Sequence, residues 1–220
     1  MTERHLSSTE EALLVALGRG ADGRSTDLAS GGGIPAWIRG MLNFCSRCGK
    51  PLQESTPEGE HRPRPWCTGC GFISYINPRI VVTTIPVDAA GLPVLIRRGI
   101  PPGYNTWAQP GGFMEVDETV HEAAIRETLE ETGLLVEPGR LVGLYSRLEA
   151  AVVVLVYEAR IVGGEAHLTP EALEIRAFEP ADIPWEGIAL KTSWWGIRDW
   201  VALRHPDAPI PEQHNGRDPF

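Results

Sequence analysis

The sequence predicts an α/β domain preceded by a small four-cysteine ribbon, and three observations carry that expectation. Cys45, Cys48, Cys67 and Cys70 stand as two Cys-x2-Cys pairs separated by eighteen residues. β-Branched runs over 79–87 and 150–162 read as strands. Between them, an acidic segment over 118–132 has helical spacing and is followed by Gly133, a residue suited to ending a helix. With 220 residues, 42% of them hydrophobic, the chain suffices for one substantial domain and a small one. The expected division is an N-terminal extension and linker at 1–40, the ribbon at 41–76, the α/β domain at 77–204 and a flexible tail at 205–220.

Taken in order, Ser8 and Glu11 form a capping box for a short helix over 10–17. That segment lacks a charged start, a long apolar core and a cleavage site, so no signal peptide is expected. Residues 18–33, rich in Gly, Ser and Asp, read as a flexible linker. Past the ribbon, 79–87 is a strand, Ala90-Gly91 turns the chain, and 94–97 is a second strand. Strands follow at 140–145 and 150–162, then a helix at 188–203 whose Trp194, Trp195 and Trp200 read as core or interface residues. The longest apolar run, 150–157, is eight residues, far short of a membrane span. The Pro-rich tail from Pro206 is expected to be mobile.

The cysteine spacing reads as a tetrahedral zinc site. In each knuckle, Cys-Ser-Arg-Cys-Gly and Cys-Thr-Gly-Cys-Gly, a glycine follows the second cysteine, where backbone amides can turn towards sulfur. Disulfides are the competing reading, but they belong with secreted chains. Thiolates imply a reducing compartment, hence a cytoplasmic expectation. Four thiolates leave no position for substrate, so the zinc is expected to be a folding staple. Arg47, Lys50, Arg62 and Arg64 offer local positive charge, but 20 basic against 29 acidic side chains, net −9, oppose nonspecific nucleic-acid binding.

The acidic segment holds the pattern G-x5-E-x7-R-E-x2-E-E-x-G, filled by Gly112, Glu118, Arg126, Glu127, Glu130, Glu131 and Gly133. Such a coincidence arises by chance in about one chain in a million. On a helix, Glu127, Glu130 and Glu131 fall within an arc of roughly 100°. Val120, Ala123 and Ala124 share that face, while Ile125, Thr128, Leu129 and Thr132 are expected to turn towards packing. Crowded carboxylates invite a compensating cation, and oxygen-only ligands suit Mg²⁺ or Mn²⁺. Asp117 is the expected N-cap, and Pro110-Gly111-Gly112 lets backbone approach a ligand. Arg126 is expected to pin the loop-helix corner through Glu118 or Glu122.

These residues resemble the Nudix box, the signature of hydrolases that cleave nucleoside diphosphates linked to another moiety. The resemblance implies an α/β/α sandwich with a mixed sheet, and hydrolysis of a pyrophosphate by water activated at divalent cations. It also implies Glu127 and Glu131 as main metal ligands, Glu130 as a further one and the Gly111 carbonyl as a backbone ligand. A homodimer is likewise implied. Thr128 departs from the family pattern, which has an aliphatic residue there. A general base comes from the box or from a glutamate on a later loop. Glu174 is the first candidate and Glu171 the second, an exposed strand-edge glutamate being the competing reading for Glu174. The catalytic set expected is therefore Glu127, Glu130, Glu131 and Glu174.

The order of ribbon and box is similar to that of NADH pyrophosphatases and of the ADP-ribose/FAD pyrophosphatase branch. Leu144-Tyr145-Ser146-Arg147-Leu148 stands where NADH pyrophosphatases have a Ser-Gln-Pro-Trp-Pro-Phe run, and the proline frequent in ADP-ribose hydrolases is absent near Leu148-Glu149-Ala150. Tyr104 and Tyr145 are candidates for an adenine slot. Either Arg97 or Arg98, not both, would face phosphate. Trp107 is expected to be structural. The small-molecule substrate expected is ADP-ribose, FAD or NADH, cut to AMP and a phosphorylated product. The alternatives are a house-cleaning nucleoside triphosphate or RNA-cap hydrolase, and a zinc-ribbon regulator that senses nucleotide or binds nucleic acid.

Overall fold

The computed structural model describes Ile38 and residues 42–214; the helix expected at 10–17 and the linker at 18–33 lie outside the described residues. The chain divides into two compact units, Met1–Ile76 and Asn77–Phe220. In the first, β1 (Gln53–Ser55) and β2 (Arg64–Trp66) pair antiparallel. Cys45 and Cys67 are buried and take the place of an apolar core. Around them, Trp66 Nε1 donates to Ser55 Oγ at 2.7 Å, and Tyr75 OH donates to Glu60 Oε1 at 2.6 Å.

The second unit is built on two sheets. β3 (Arg79–Val87), β6 (Gly111–Phe113), β7 (Leu134–Arg147) and β8 (Val152–Gly164) form a mixed sheet in the order β6-β3-β8-β7. Only the central β3–β8 pair is parallel. β4 (Val94–Arg98), β5 (Trp107–Ala108) and β9 (Ala172–Ala177) form an antiparallel sheet in the order β5-β4-β9.

Strand alternation sends β3 residues to two layers. Val81, Ile85 and Val87 join the core with Trp194, Ile197, Trp200 and Val201 of α2 (Lys191–Arg204). Val82 turns to the opposite face and packs with Ala123 and Ala124 of α1 (Val120–Thr132). The result is the α/β/α sandwich with a mixed sheet. Burying a side chain such as Ile85 or Ile197 contributes about 1.5–3 kcal/mol, so the α2 face holds most of the apolar stabilisation, while small alanines let α1 lie close to β3.

Several boundaries differ from expectation for local reasons. β7 starts at Leu134, not at 140, because register shifts around Pro138 and Leu141 absorb the Pro138-Gly139 break. β8 starts at Val152, since Ala151 adopts a positive φ of 50° in the preceding turn. α2 starts at Lys191, after a single 3-10 turn over Trp185–Gly187. The tail is not loose where described: Ala208 and Ile210 pack on the core, and His214 lies edge-on to Trp194, 6.1 Å between centroids. No helix among the described residues is long and apolar enough to cross a membrane.

Candidate active site

Helix α1 is set by its two ends. Its N-cap is Thr119 rather than Asp117: Thr119 Oγ1 accepts from Glu122 N at 3.3 Å, and Glu122 Oε2 accepts from Thr119 N at 2.8 Å. This capping box, Thr119-x-x-Glu122, was legible in the sequence and starts the helix two residues later than expected. At the other end Gly133 adopts φ 74°, and its N–H donates to Leu129 O. The buried arc of the helix differs from the one expected. Leu129 is exposed, whereas Ala123, Ala124, Thr128 and Thr132 are buried, so the face bearing Glu127 and Glu131 is itself turned to the sheet. Thr128 gives its one hydroxyl proton to Ala124 O at 2.7 Å, so Thr84 Oγ1, 2.6 Å away, must donate to it. A buried hydroxyl pair thus occupies the position where the family carries an aliphatic side chain.

Glu131 is 5% exposed, and its Oε2 accepts the Gly111 N–H at 2.8 Å. Burial pushes its carboxyl up to about 8, outweighing the pull of the Gly111 amide and the Arg98 charge, with Glu127 and Glu171 adding repulsion. Burial also raises Glu127, opposed by Arg126. The Glu127 carboxylate lies over Gly112, where a β-carbon would stand 2.5 Å from Oε2 and displace it. At Gly111, with φ 147°, a β-carbon would meet the Val82 and Thr83 backbone, so the first glycine of Gly111-Gly112 is the one that close approach requires. Arg126 is the clamp of the corner. It reaches Glu118 through Nε at 2.8 Å and Nη2 at 2.5 Å, Glu127 at 2.7 Å, Glu130 at 3.2 Å and Phe113 O at 3.1 Å. Its bonds hold the Glu118 carboxyl down at about 2.

The two expected arginines separate as strand alternation requires. Arg97 pairs with Glu174 at 3.1 Å and donates to Asn105 at 2.9 Å. Arg98, half-buried, donates to Pro102 O at 2.8 Å and feels the charges of Glu131 and Glu171. Glu174 therefore sits between Arg97 and Arg176, the latter at 3.8 Å. Glu171 is the later carboxylate whose charge bears on both Glu127 and Glu131. Tyr145 donates to Asp199 Oδ2 at 2.6 Å and ties β7 to α2, a packing role, while Tyr104 is exposed. Trp107 is buried edge-on to Phe178, 4.8 Å between centroids.

The two expected metal sites differ in their degree of assembly. Among the described residues, only Cys45, Cys48, Cys67 and Cys70 gather as a group of three or more ligand side chains, with all sulfurs within 4.8 Å of one another. Cys45 and Cys70 Sγ are 3.7 Å apart, Cys48 and Cys67 Sγ 3.5 Å. A zinc tetrahedron with bonds of about 2.3 Å has edges of about 3.8 Å, and a disulfide needs about 2.05 Å. Backbone amides of Gly69 and Cys70 donate to Cys67 sulfur, and that of Lys50 to Cys48. The sulfurs thus fit zinc. The box glutamates are not gathered: Arg126 holds Glu127 and Glu130, and Glu131 turns to Gly111. Their chemistry still fits a hard divalent cation, because Glu131 is a buried, all-oxygen donor whose anion lacks a cationic hydrogen-bond partner.

Residues 77–203 match the NUDIX domain and residues 43–76 the Nudix N-terminal family. An ADP-ribose pyrophosphatase of Methanocaldococcus jannaschii is 34% identical over 114 residues, 50% of this chain and 67% of that protein. An NAD-capped RNA hydrolase of Pseudomonas aeruginosa is 30% identical over 145 residues, 64% of this chain; the chain spans 48% of that relative's length. The crystal structure of a NUDIX hydrolase from Nitrosomonas europaea superposes with a TM-score of 0.70 at 34% identity, covering 77% of this chain and 96% of that one. With the box, the sandwich and the four-cysteine unit in agreement, the chain belongs to the Nudix hydrolase family.

Proposed function

We propose that the protein hydrolyses the pyrophosphate of an ADP-linked nucleotide, ADP-ribose, FAD or NADH, to AMP and a phosphorylated product. The observation that carries this is the buried Glu131 beside Glu127 at the Gly111-Gly112 turn, in a chain similar to an ADP-ribose pyrophosphatase. Glu127, Glu130, Glu131 and the Gly111 carbonyl would hold Mg²⁺ or Mn²⁺. When bound, such an ion withdraws charge from the pyrophosphate and makes water more acidic. Arg126 orients Glu127 and Glu130 until they are needed, and Arg98 supplies positive charge for a phosphate oxygen. For the base that takes the proton from the attacking water, Glu171 is preferred to Glu174. The Glu174 carboxylate is engaged by two arginines, and the Glu171 charge bears on the box glutamates.

The NAD-capped RNA hydrolase relatives support a second reading, the same bond cut at the end of an RNA. The test is AMP release from ADP-ribose, FAD and NADH with Mg²⁺ or Mn²⁺, alongside NAD-capped RNA and 8-oxo-dGTP, with Glu131→Gln as control. Metal-dependent AMP release that the variant loses by more than about a hundredfold is expected, since even partners of ligands cost 10–100-fold. Turnover of the triphosphate alone would overturn the dinucleotide reading.

A further inference from the structure

The segment from Gly164 to Glu171 is exposed at every residue except Thr169, which is half-buried. The Thr169 hydroxyl donates to the Glu131 carbonyl on α1 at 3.2 Å. It accepts from Glu171 N at 3.2 Å and from Ala172 N at 3.1 Å. Its one proton and both lone pairs are thereby used. Two neighbouring bonds fix the same segment. His167 N donates to Thr132 O at 3.0 Å, and Gly99 N donates to Glu171 O at 2.7 Å. Pro170 O also lies against Gly99 so closely that a β-carbon there would collide with it. The loop is therefore seated on two elements, the end of α1 and the end of β4, and one side chain, Thr169, joins the seat to the backbone of Glu171.

We propose that Thr169 is a positioning residue, locking the loop that carries Glu171 to the helix backbone at Glu131 and so setting where the loop carboxylate stands relative to the helix carboxylates. The proposal rests on the reading of Glu171 as general base. A hydroxyl is needed because its three bonds run to two different chain segments. Valine keeps the shape and loses all three bonds, whereas serine keeps all three.

The experiment uses the full chain with Mg²⁺ and whichever of ADP-ribose, FAD and NADH turns over. It compares Thr169→Val, Thr169→Ser, Glu171→Gln and the double variant Thr169→Val/Glu171→Gln, with melting curves for each. Misplacement of a catalytic group by about an ångström costs on the order of a hundredfold. Thr169→Val is expected to lower kcat by about ten- to a hundredfold with KM nearly unchanged, and Thr169→Ser to restore it. The double variant should be no slower than Glu171→Gln alone, a masking that a merely structural threonine does not produce. Slow Glu171→Gln with Thr169→Val at the wild-type rate, or effects that multiply, overturns the role of Thr169 and leaves the base. Glu171→Gln at the wild-type rate overturns the base, and the proposal with it.

Discussion

In the ribbon, four sulfurs stand within 4.8 Å of one another, whereas on helix α1 the carboxylates that would share a cation are engaged by other partners, Glu127 and Glu130 by Arg126 and Glu131 by the Gly111 amide. The difference follows from what each region must do. A ribbon with two three-residue strands has little apolar surface to bury, so its ligands have to be its core. The α/β unit has an apolar core of its own around Ile85, Val156, Ile197 and Trp200, so its box glutamates do not have to serve as that core. A closed site stabilises; an open one has to carry unsatisfied charge.

The largest effect should come from breaking the closed site. Structural zinc contributes about 10–16 kcal/mol to small domains of this type. Cys67→Ser is therefore expected to lose the zinc, about one ion per chain, and to unfold 43–76. Residues 77–220 should keep their fold, because their core is their own. Metal analysis with limited proteolysis checks this, and a ribbon still protected after zinc loss would contradict it.

The open site makes the opposite prediction: removing its charge should stabilise the protein when no divalent cation is supplied. The Glu131 carboxyl is raised to about 8 in the fold, against about 4.3 unfolded. Its protonated form contributes stability that is fully present below about pH 4.3 and is lost as pH rises through about 8. Without added cation, Glu131→Gln should melt with the wild type near pH 4.5 and above it by several degrees at about pH 8.5. Equal melting at both pH values would show that burial does not strain this carboxylate.

A smaller effect tests the clamp that keeps the open site open. Arg126→Lys keeps the charge but loses the two-pronged grip on Glu118. Glu118 is held at about 2 chiefly by that hydrogen bond. Its contribution, present above its unfolded value near 4.3, is lost as pH falls through about 2. In the variant the Glu118 carboxyl should titrate nearer its ordinary value, measured by carbon NMR, and turnover should fall by about tenfold, the low end for a partner of ligands, because lysine keeps the charge. An unchanged titration would mean that lysine holds the corner equally well.

The two regions also differed in how far they could be read in advance. Cysteine spacing is a local code, and the ribbon's ligand set followed from it directly. The box singles out Glu127, Glu130 and Glu131 as candidates for the same reason. What spacing could not supply was direction. A helix wheel gives relative angles but not which arc meets the sheet, so it groups Leu129 with the packing residues although Leu129 is exposed. The pairing of Glu174 with Arg97 comes from the β4–β9 register, and no local pattern reports that. Prolines in the tail say nothing of contacts, and Ala208 and Ile210 pack against the core cluster that includes α2.

The smallest effect concerns the start of α1, where sequence and structure name different caps. Thr119 and Glu122 bond reciprocally, satisfying two amides that the first turn would otherwise leave open. Removing a cap of this type costs about 1 kcal/mol, which for a domain of this size lowers the melting temperature by roughly 3 °C. Thr119→Ala should show that shift and Asp117→Ala should not, with faster amide exchange at Glu122 in the first variant alone. Because the cap also fixes the loop that brings Glu118 to Arg126, the same substitution should loosen the clamp and raise the Glu118 titration slightly. If Asp117→Ala proves the costlier change, the helix begins where spacing placed it, and the corner around Arg126 is built one step earlier in the chain.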